Sequence, residues 1–325
     1  YCPFFVWQEH PGMQQFRKPE YAETFIDFWQ KKGFKTLHIL NEDHDGLPER
    51  VAGSTILNAA NAKGLKVILW EGNYGMERTK ALVDKYNQPC VIAHMVEDDA
   101  DLKVESNKLR DYIDSLRPLM PYVPTFMNYT PLGIPSRSAD LTPDILGCDP
   151  YLTNTGEFME VEEVLSHVEA MRGPSMEMRK PMFVFLIGSN FPTHWREITA
   201  AEQIAQTYGS ICIGVTGISY FIGAPTTLPH WNAFLQLNRE ILSLEPALCS
   251  EEETSQAVAS KANLRMITKK LDGYLYVISC NSASQAMGSI TFALPAGHEY
   301  GGEAEVLFEN RKIPVGKGTF ADDFA

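Results

Sequence analysis

The stretch V-I-A-H-M-V-E-D-D-A-D at residues 91–101 joins a short apolar run to four acidic residues within five positions. The apolar, β-rich half predicts a buried strand. If that strand belongs to a parallel sheet, its carboxyl end crowds carboxylates together, and their mutual repulsion raises some of their pKa values. A general acid at neutral pH needs such a raised pKa. The alternative is an acidic loop that faces water, which is the commoner use of such a run.

Seven further apolar runs alternate with stretches of helical period between residues 2 and 248. This alternation predicts a parallel sheet with right-handed crossovers, and eight strands are the number that closes a (β/α)8 TIM barrel. We therefore predict an α/β fold with a barrel domain at 1–248. The predicted strands are 3–7, 35–40, 66–70, 91–96, 123–127, 145–148, 181–187 and 217–222.

The stretches between these runs carry apolar residues at a spacing of three and four, which predicts helices that pack on the barrel. One helix start is marked by a T-x-x-E capping box at Thr199 and Glu202. The stretch 131–144 contains three prolines, so a shortened or irregular connection is expected there. The predicted helices are 21–32, 48–63, 76–86, 107–116, 161–171, 199–210 and 231–244.

After Pro246 the pattern changes to short strands at 262–269, 273–281, 289–293 and 303–308, separated by turn residues. This pattern predicts a small all-β sandwich domain at 255–325 that is truncated at its end. The domain has no obvious surface row of Trp or Tyr, so we expect it to pack against the barrel rather than bind sugar by itself.

Composition excludes several classes of function. A formal net charge of -13 without a Lys or Arg cluster argues against nucleic-acid binding, and the apolar stretches are too short or too Gly-rich to span a membrane. The six cysteines lack C-x-x-C spacing, so no zinc or redox motif is predicted. The chain starts at Tyr1 without a signal-like segment, and we expect it to be a trimmed sequence.

The residues that follow the predicted strands are rich in acids, amides and aromatic rings. In a (β/α)8 barrel the active site lies at these carboxyl ends. Sugars offer hydroxyls to amides and carboxylates and C–H faces to aromatic rings, so this composition predicts a carbohydrate site, although such aromatics also serve as ordinary packing. The candidate substrate-binding residues are Trp7, Glu9, His10, Asn41, Trp70, Asn128, Tyr129, Tyr151, Asn190, Trp195 and Tyr220.

Several longer stretches carry a family resemblance. They are E-D-D-A at 97–100, G-C-D-P-Y at 147–151, T-A-A-E-Q-I-A-Q-T-Y-G-S at 199–210 with G-I-S-Y-F at 217–221, and D-G-Y-L-Y-V-I-S-C-N at 272–281 with V-L-F-E-N-R at 306–311. With them the chain resembles glycoside hydrolases that have a TIM barrel and a C-terminal β-sandwich. The resemblance implies hydrolysis of a β-linked poly- or oligosaccharide, no cofactor, and a secreted or periplasmic location in a bacterium.

In that family strand four often ends in Asn-Glu-Pro or Asp-Glu-Pro, and its Glu is the acid/base. Asp98, Asp99 and Ala100 stand at these positions, so the resemblance implies Asp99 as general acid with Asp98 in support and Glu97 in reserve. The shorter side chain of Asp99 and the lost proline depart from the pattern.

Strand seven ends in Gly188-Ser189-Asn190, where the family carries its nucleophilic Glu. Glu71 and Asp149 are the substitutes for this second carboxylate, with a carboxyl separation of about 5 to 5.5 Å for retention and about 6.5 to 9.5 Å for inversion. Each also has a structural explanation, because Glu71 can cap a helix and Asp149 can anchor a turn before Pro150.

Two alternatives stay open, and the first of them follows from the missing acid. One is a barrel that binds glycans without cleaving them. The other is a metal-dependent hydrolase, which is disfavoured because strand one ends in Gln8-Glu9-His10 instead of the H-x-H that such barrels carry. No metal site is therefore predicted.

Overall fold

The structure is a computed structural model, and it describes part of the chain. The described residues are 4–6, 22–40, 53–70, 87–99, 102, 105–130, 143–151, 153–154, 157–158, 160–188, 198–221, 225, 227–251, 256–262, 264–296 and 300–324. The helices within these ranges are α1 (Ala22–Lys31), α2 (Gly53–Lys63), α3 (Ser106–Leu116), α4 (Val161–Met178), α5 (Ala200–Ile213) and α6 (Leu228–Leu248).

Eight parallel strands close into a barrel, which confirms the predicted fold class. They are β1 (Phe4–Val6), β2 (Thr36–Leu40), β3 (Lys66–Trp70), β4 (Val91–Glu97), β5 (Thr125–Tyr129), β6 (Ile145–Cys148), β9 (Met182–Ile187) and β10 (Gly217–Phe221), with a short hairpin of β7 (Thr153–Asn154) and β8 (Glu157–Phe158) between the sixth and seventh. Phe4 pairs with Leu37 on one side and with Tyr220 on the other, so β1 closes the ring. The helix predicted at 76–86 and most of the connection predicted at 131–144 lie outside the described residues.

Side chains alternate between two layers along each barrel strand. One set, which includes Ile68, Phe126 and Phe185, packs together inside the barrel. The intervening residues, such as Leu69 and Met127, pack outward against the helices. This alternation decides which residue at a strand end can reach the mouth of the barrel.

Glycine is required where two strands carry large rings in the barrel interior. A Cβ on Gly147 would lie 2.3 Å from the ring of Phe126, and a Cβ on Gly217 would lie 2.4 Å from the ring of Phe183. Both distances are far below van der Waals contact. The two glycines therefore make room for the phenylalanines that fill the interior.

A register shift between β4 and β5 changes the direction of the side chains at the end of β4. Met95 pairs with Phe126, but the next paired residue, Glu97, lies opposite Met127, so Val96 is the extra residue of a bulge. Glu97 therefore shares the outward side of Met127, and Asp98 comes to lie beside Asn128. Without the bulge the alternation would have turned Asp98 away from the interior.

Two helices are longer than the sequence pattern predicts. The helix α4 continues through Pro174 to Met178, and α6 continues through Pro246 to Leu248. Each keeps a buried face beyond the proline, with Ser175 in α4 and Ala247 in α6, and this packing outweighs the missing backbone hydrogen bond.

The predicted capping box is confirmed: Thr199 accepts from the Glu202 amide, and Glu202 accepts from the Thr199 amide. None of the described helices is long and apolar enough to cross a membrane.

The C-terminal part forms small antiparallel sheets. Their strands are β11 (Val258–Ala259), β12 (Arg265–Leu271), β13 (Tyr274–Cys280), β14 (Gly288–Ala293), β15 (Glu303–Val306), β16 (Arg311–Pro314) and β17 (Thr319–Phe324). Three of these, β11, β16 and β17, were missed because they are short or mostly exposed. Ile290 and Phe292 centre a small core of their own.

The β domain packs against the helices of the barrel. The Cys212 thiol of α5 donates to the Ile278 carbonyl over 3.4 Å, and the Cys280 thiol donates to the Ala205 carbonyl over 3.5 Å. Arg265, whose side chain is 13% exposed, reaches Glu162 and Glu169 of α4 with both contacts at 2.7 Å. The β domain thus contacts the barrel through several side chains, in line with the packing we expected.

Candidate active site

Three aspartates meet at the carboxyl ends of neighbouring strands. Asp98 and Asp99 follow β4, Asp149 follows β6, and β5 lies between these strands. One carboxylate oxygen from each lies within 4.8 Å of those of the other two, and all three side chains are partly exposed. The structure thus brings together three of the predicted catalytic residues at the mouth of the barrel.

Asn128 lies between these aspartates at the end of β5. Its side chain is 1% exposed, and its Nδ2 donates to Asp98 Oδ1 over 2.9 Å. The same side chain also hydrogen-bonds Asp149. Its Oδ1 is buried without a hydrogen-bond partner among the described residues, so both bonds use the amide N–H groups. Asn128 was predicted to bind substrate, and its observed contacts are with the acids.

Asp149 is the acid whose environment most favours the protonated form. Burial of the carboxyl raises its pKa well above the ordinary value, and the nearby charges of Asp98 and Asp99 raise it further. The hydrogen bond from Asn128 opposes this shift without reversing it. Although part of the side chain remains exposed, most of its hydration is replaced by protein. A carboxyl held in this way is favoured as a proton donor.

The backbone turns sharply at the end of β4. Asp99 has a φ of 48°, in the left-handed region that Asp tolerates better than most residues. Its carbonyl accepts from the Leu102 amide over 2.9 Å, which closes the turn. Glu97 accepts from the Asp98 amide through Oε1 over 3.1 Å. Glu97, the reserve acid, therefore stabilises the strand end locally.

Two stacked aromatic rings stand beside the acids. The rings of Tyr151 and Phe221 are 5.2 Å apart with an interplanar angle of 26°. Burial raises the pKa of the Tyr151 hydroxyl well above its ordinary value, and the charges of Asp149, Asp98 and Asp99 add to the shift. Tyr151 was predicted as a sugar contact. Phe221 was missed, although strand alternation from Ser219 could have identified it.

Tyr129 and Tyr220 do not line the mouth of the barrel, which corrects the expectation that they contact substrate. Tyr129 is fully buried among residues that face the helices. Tyr220 is 2% exposed, packs edge-on against Phe234 at 4.9 Å, and hydrogen-bonds Thr207 Oγ1 over 3.0 Å. Each lies next to a residue whose side chain faces the barrel interior, so strand alternation directs its own side chain outward.

Trp70 does face the interior, but it is only 5% exposed. It packs with Ile68 and Met95 in the inner layer. Its ring therefore fills the barrel and offers little surface for stacking a sugar. The remaining predicted site residues lie outside the described residues: Trp7, Glu9, His10, Asn41, Glu71, Asn190 and Trp195.

Close carboxylate oxygens are also what a hard divalent cation prefers. Among the described residues, Asp98, Asp99 and Asp149 are a group that could supply such ligands. An acidic cluster of this kind is common without an ion, and the same geometry serves equally well to share a proton. The chemistry it can perform is therefore acid/base catalysis, with metal binding as the alternative.

Solved structures of glycoside hydrolases share this fold. Alpha-L-fucosidase isoenzyme 1 from Paenibacillus thiaminolyticus is 10% identical, with a TM-score of 0.59 over 100% of this chain and 92% of that chain. A putative alpha-L-fucosidase from Bacteroides thetaiotaomicron is 10% identical, with a TM-score of 0.57 over 74% of this chain and 92% of that chain. The GH113 beta-mannanase from Alicyclobacillus acidocaldarius is 12% identical, with a TM-score of 0.52 over 75% of this chain and 97% of that chain.

No protein-family model matches the chain, and no curated protein matches it. At identities near 10% the likeness to the solved structures concerns the fold and not the reaction. The chain has a TIM-barrel fold, which it shares with these solved structures, followed by a small β domain.

Proposed function

We propose that the protein is a glycoside hydrolase that works by carboxylate acid/base catalysis. The observation that carries the proposal is the meeting of Asp98, Asp99 and Asp149 at the mouth of the barrel, with carboxylate oxygens within 4.8 Å of one another. A pair of carboxyl groups with opposed protonation is what glycoside hydrolysis requires.

The surroundings of each aspartate support catalytic roles that differ from those implied by the sequence resemblance. We assign the general acid to Asp149, because burial and two neighbouring charges raise its pKa. Asp98 is the ionised partner, since a donated N–H from Asn128 favours its charged form. Asp99, which the strand-four resemblance implied as the acid, is the second candidate for either role.

The close spacing favours a retaining reaction, because retaining pairs stand about 5 to 5.5 Å apart and inverting pairs need room for a water molecule. In the first step Asp149 protonates the glycosidic oxygen while an Asp98 oxygen attacks the anomeric carbon. The bond to the leaving group breaks, and a covalent glycosyl-enzyme forms. In the second step Asp149 removes a proton from water while the water oxygen attacks the anomeric carbon, and the bond from that carbon to Asp98 breaks. The sugar is released, Asp98 is again a carboxylate, and Asp149 again carries a proton.

The stacked Tyr151 and Phe221 support a sugar as the substrate, because a pyranose presents a C–H face that packs on an aromatic ring. A β-linked poly- or oligosaccharide, as the sequence resemblance implied, is the proposed substrate class. Two of the similar structures are described as alpha-L-fucosidases, so alpha-L-fucosides belong among the compounds to test. A secreted or periplasmic role in polysaccharide degradation stays a prediction of the resemblance.

The test is a panel of aryl glycosides and oligosaccharides, with alpha-L-fucosides, β-mannosides and β-glucosides included. On any substrate that is cleaved, Asp149→Asn and Asp98→Asn should each lower kcat/KM by about 10²- to 10⁴-fold. Asp144→Asn is the matched control, because Asp144 lies at the opposite end of β6 and hydrogen-bonds Thr125. Proton NMR of the first product anomer decides between retention and inversion.

Several outcomes would contradict the proposal. Full activity of Asp149→Asn and Asp98→Asn would remove the assigned roles, and loss in Asp99→Asn alone would return the acid to Asp99. Binding of glycans without product release would support the non-catalytic alternative. Activity that is lost to a chelator and restored by Mg²⁺ or Ca²⁺ would support the metal-dependent one.

A further inference from the structure

Asn128 is too deeply buried to contact a substrate directly. Its side chain is 1% exposed, whereas Asp98, Asp99 and Asp149 around it are partly exposed. An incoming sugar would therefore meet the acids and the Tyr151 ring before it met the amide. The function of Asn128 must act through the groups that it touches.

Those groups are two acids on opposite sides of β5. The Asn128 amide donates to Asp98 Oδ1 over 2.9 Å and also hydrogen-bonds Asp149. An NH₂ group has two hydrogens in one plane, so each bond restricts the rotation that the other allows. The bulge at Val96 is what brings Asp98 into reach, because it shifts the register of the end of β4.

We infer that Asn128 is a positioning residue: by donating to Asp98 and Asp149 from the strand between them, its amide holds the two carboxyl groups facing each other. It thereby favours the ionised form of Asp98 and limits how readily Asp149 takes up a proton. The inference deepens the proposed function and rests on it for its catalytic meaning, but the arrangement itself can be measured without a substrate.

Among the described residues, the charged and titratable groups that face Asp149 come from two segments. Asp98 and Asp99 approach from the end of β4, and Tyr151 lies on its own segment. Cys148 is adjacent but points outward into the helix-facing layer. Both neighbouring acids disfavour a charge on Asp149, and the Asn128 amide opposes them, together with a smaller effect of a backbone hydrogen bond. Removal of the Asn128 amide should therefore make Asp149 easier to protonate.

The experiment follows the carboxylic acid C=O band by infrared spectroscopy across a pH titration of the whole protein. Asp149→Asn assigns the band, because it removes the signal. In Asn128→Leu, which has similar volume and no donor, the midpoint should rise by about one pH unit. Asn238→Leu is the matched control, since Asn238 is 4% exposed in α6 and should leave the midpoint unchanged.

If Asn128→Leu does not fold, Asn128→Ser is the second variant, because its side chain is too short to reach both acids and should give the same direction of shift. An unchanged midpoint in a folded Asn128 variant, or an equal shift in Asn238→Leu, overturns the inference. On a cleaved substrate, the basic limb of the kcat/KM profile should move up with the midpoint.

The two proposals fail separately. A midpoint shift without hydrolysis of any glycoside keeps the positioning role and rejects the function. If hydrolysis depends on Asp149 but Asn128→Leu leaves the titration midpoint unchanged, the positioning role is rejected and the proposed function is kept.

Discussion

Lowering the pH from 7 to 5 should destabilise the fold through two buried histidines. His38 is fully buried between the rings of Phe126 and Phe185 inside the barrel, and His94 is 2% exposed on the opposite side of the sheet. Burial lowers the pKa of His38 to about 3 and that of His94 to about 4. Both rings stay neutral in the folded protein at pH 5, whereas an unfolded histidine titrates near 6.5.

The sign follows from proton binding. Below about pH 6.5 the unfolded chain binds more protons at these histidines than the folded protein does, so stability falls as pH falls. The loss continues down to the folded pKa values of about 4 for His94 and about 3 for His38. Between pH 7 and 5 each ring should contribute a loss of about 2 kcal/mol in the free energy of unfolding, from about 1.4 kcal/mol per pH unit below 6.5.

The raised pKa of Asp149 acts in the opposite direction, because the folded protein then holds a proton that the unfolded chain releases. A comparison between variants removes this contribution, since it is common to all of them. His94→Leu is the variant of choice. It removes one titrating ring, and its Nε2 has no hydrogen-bond partner among the described residues that could be lost.

Urea unfolding at pH 7, 6 and 5, followed by the fluorescence of the buried Trp29 and Trp70, measures the effect. The stability difference between His94→Leu and the natural sequence should change by about 2 kcal/mol over this range. Gln206→Leu replaces a buried side chain that does not titrate, so its difference should stay constant. Parallel pH curves for His94→Leu and the natural sequence would refute the reasoning, and His38→Leu repeats the test inside the barrel.

Two further predictions concern packing. Gly147→Ala should destabilise the barrel by about 1 to 3 kcal/mol, because its Cβ would overlap a phenylalanine ring of β5, whereas Gly173→Ala in α4 meets no atom within 4 Å and should be neutral or stabilising by up to about 1 kcal/mol. Thermal unfolding of the two variants checks this, and equal effects would contradict it. A double-mutant cycle of Arg265→Leu and Glu162→Gln should give a coupling of about 1 kcal/mol across the domain contact, because Arg265 is mostly buried while Glu162 is half exposed; additive effects in urea unfolding would show that the pair contributes nothing.

The barrel could be predicted from the sequence because its strands are continuous apolar runs. Seven of the eight strands, such as β3 (Lys66–Trp70) and β6 (Ile145–Cys148), begin and end within one residue of the prediction. The prediction was poorest for β5, where Pro124 and the preceding apolar residues extended the pattern toward the amino end. Helix ends after Pro174 and Pro246 were missed, because tertiary packing there outweighs a local preference.

The site could be predicted only as a set of strand ends. The sequence indicates that Asp98, Asp99 and Asp149 follow strands. Which side chains face the barrel interior depends on the alternation along each strand, and a shift of one residue reverses the direction. At the end of β10 the alternation places Phe221, and not Tyr220, on the interior side of the barrel. Counting from Ser219 would have predicted this. At the end of β5 the alternation selects Asn128 over Tyr129 in the same way.

The end of β4 could not have been resolved by counting. Strict alternation from Met95 would direct Glu97 and Asp99 inward, which agrees with the role that the family resemblance implied for Asp99. The bulge at Val96 inserts one residue and reverses this choice, so Asp98 meets Asn128. A bulge depends on how two strands pair and leaves no signature in one of them. The acid that the motif indicates and the acid that the amide holds are therefore adjacent residues, and comparison of Asp98→Asn with Asp99→Asn is the measurement that separates them.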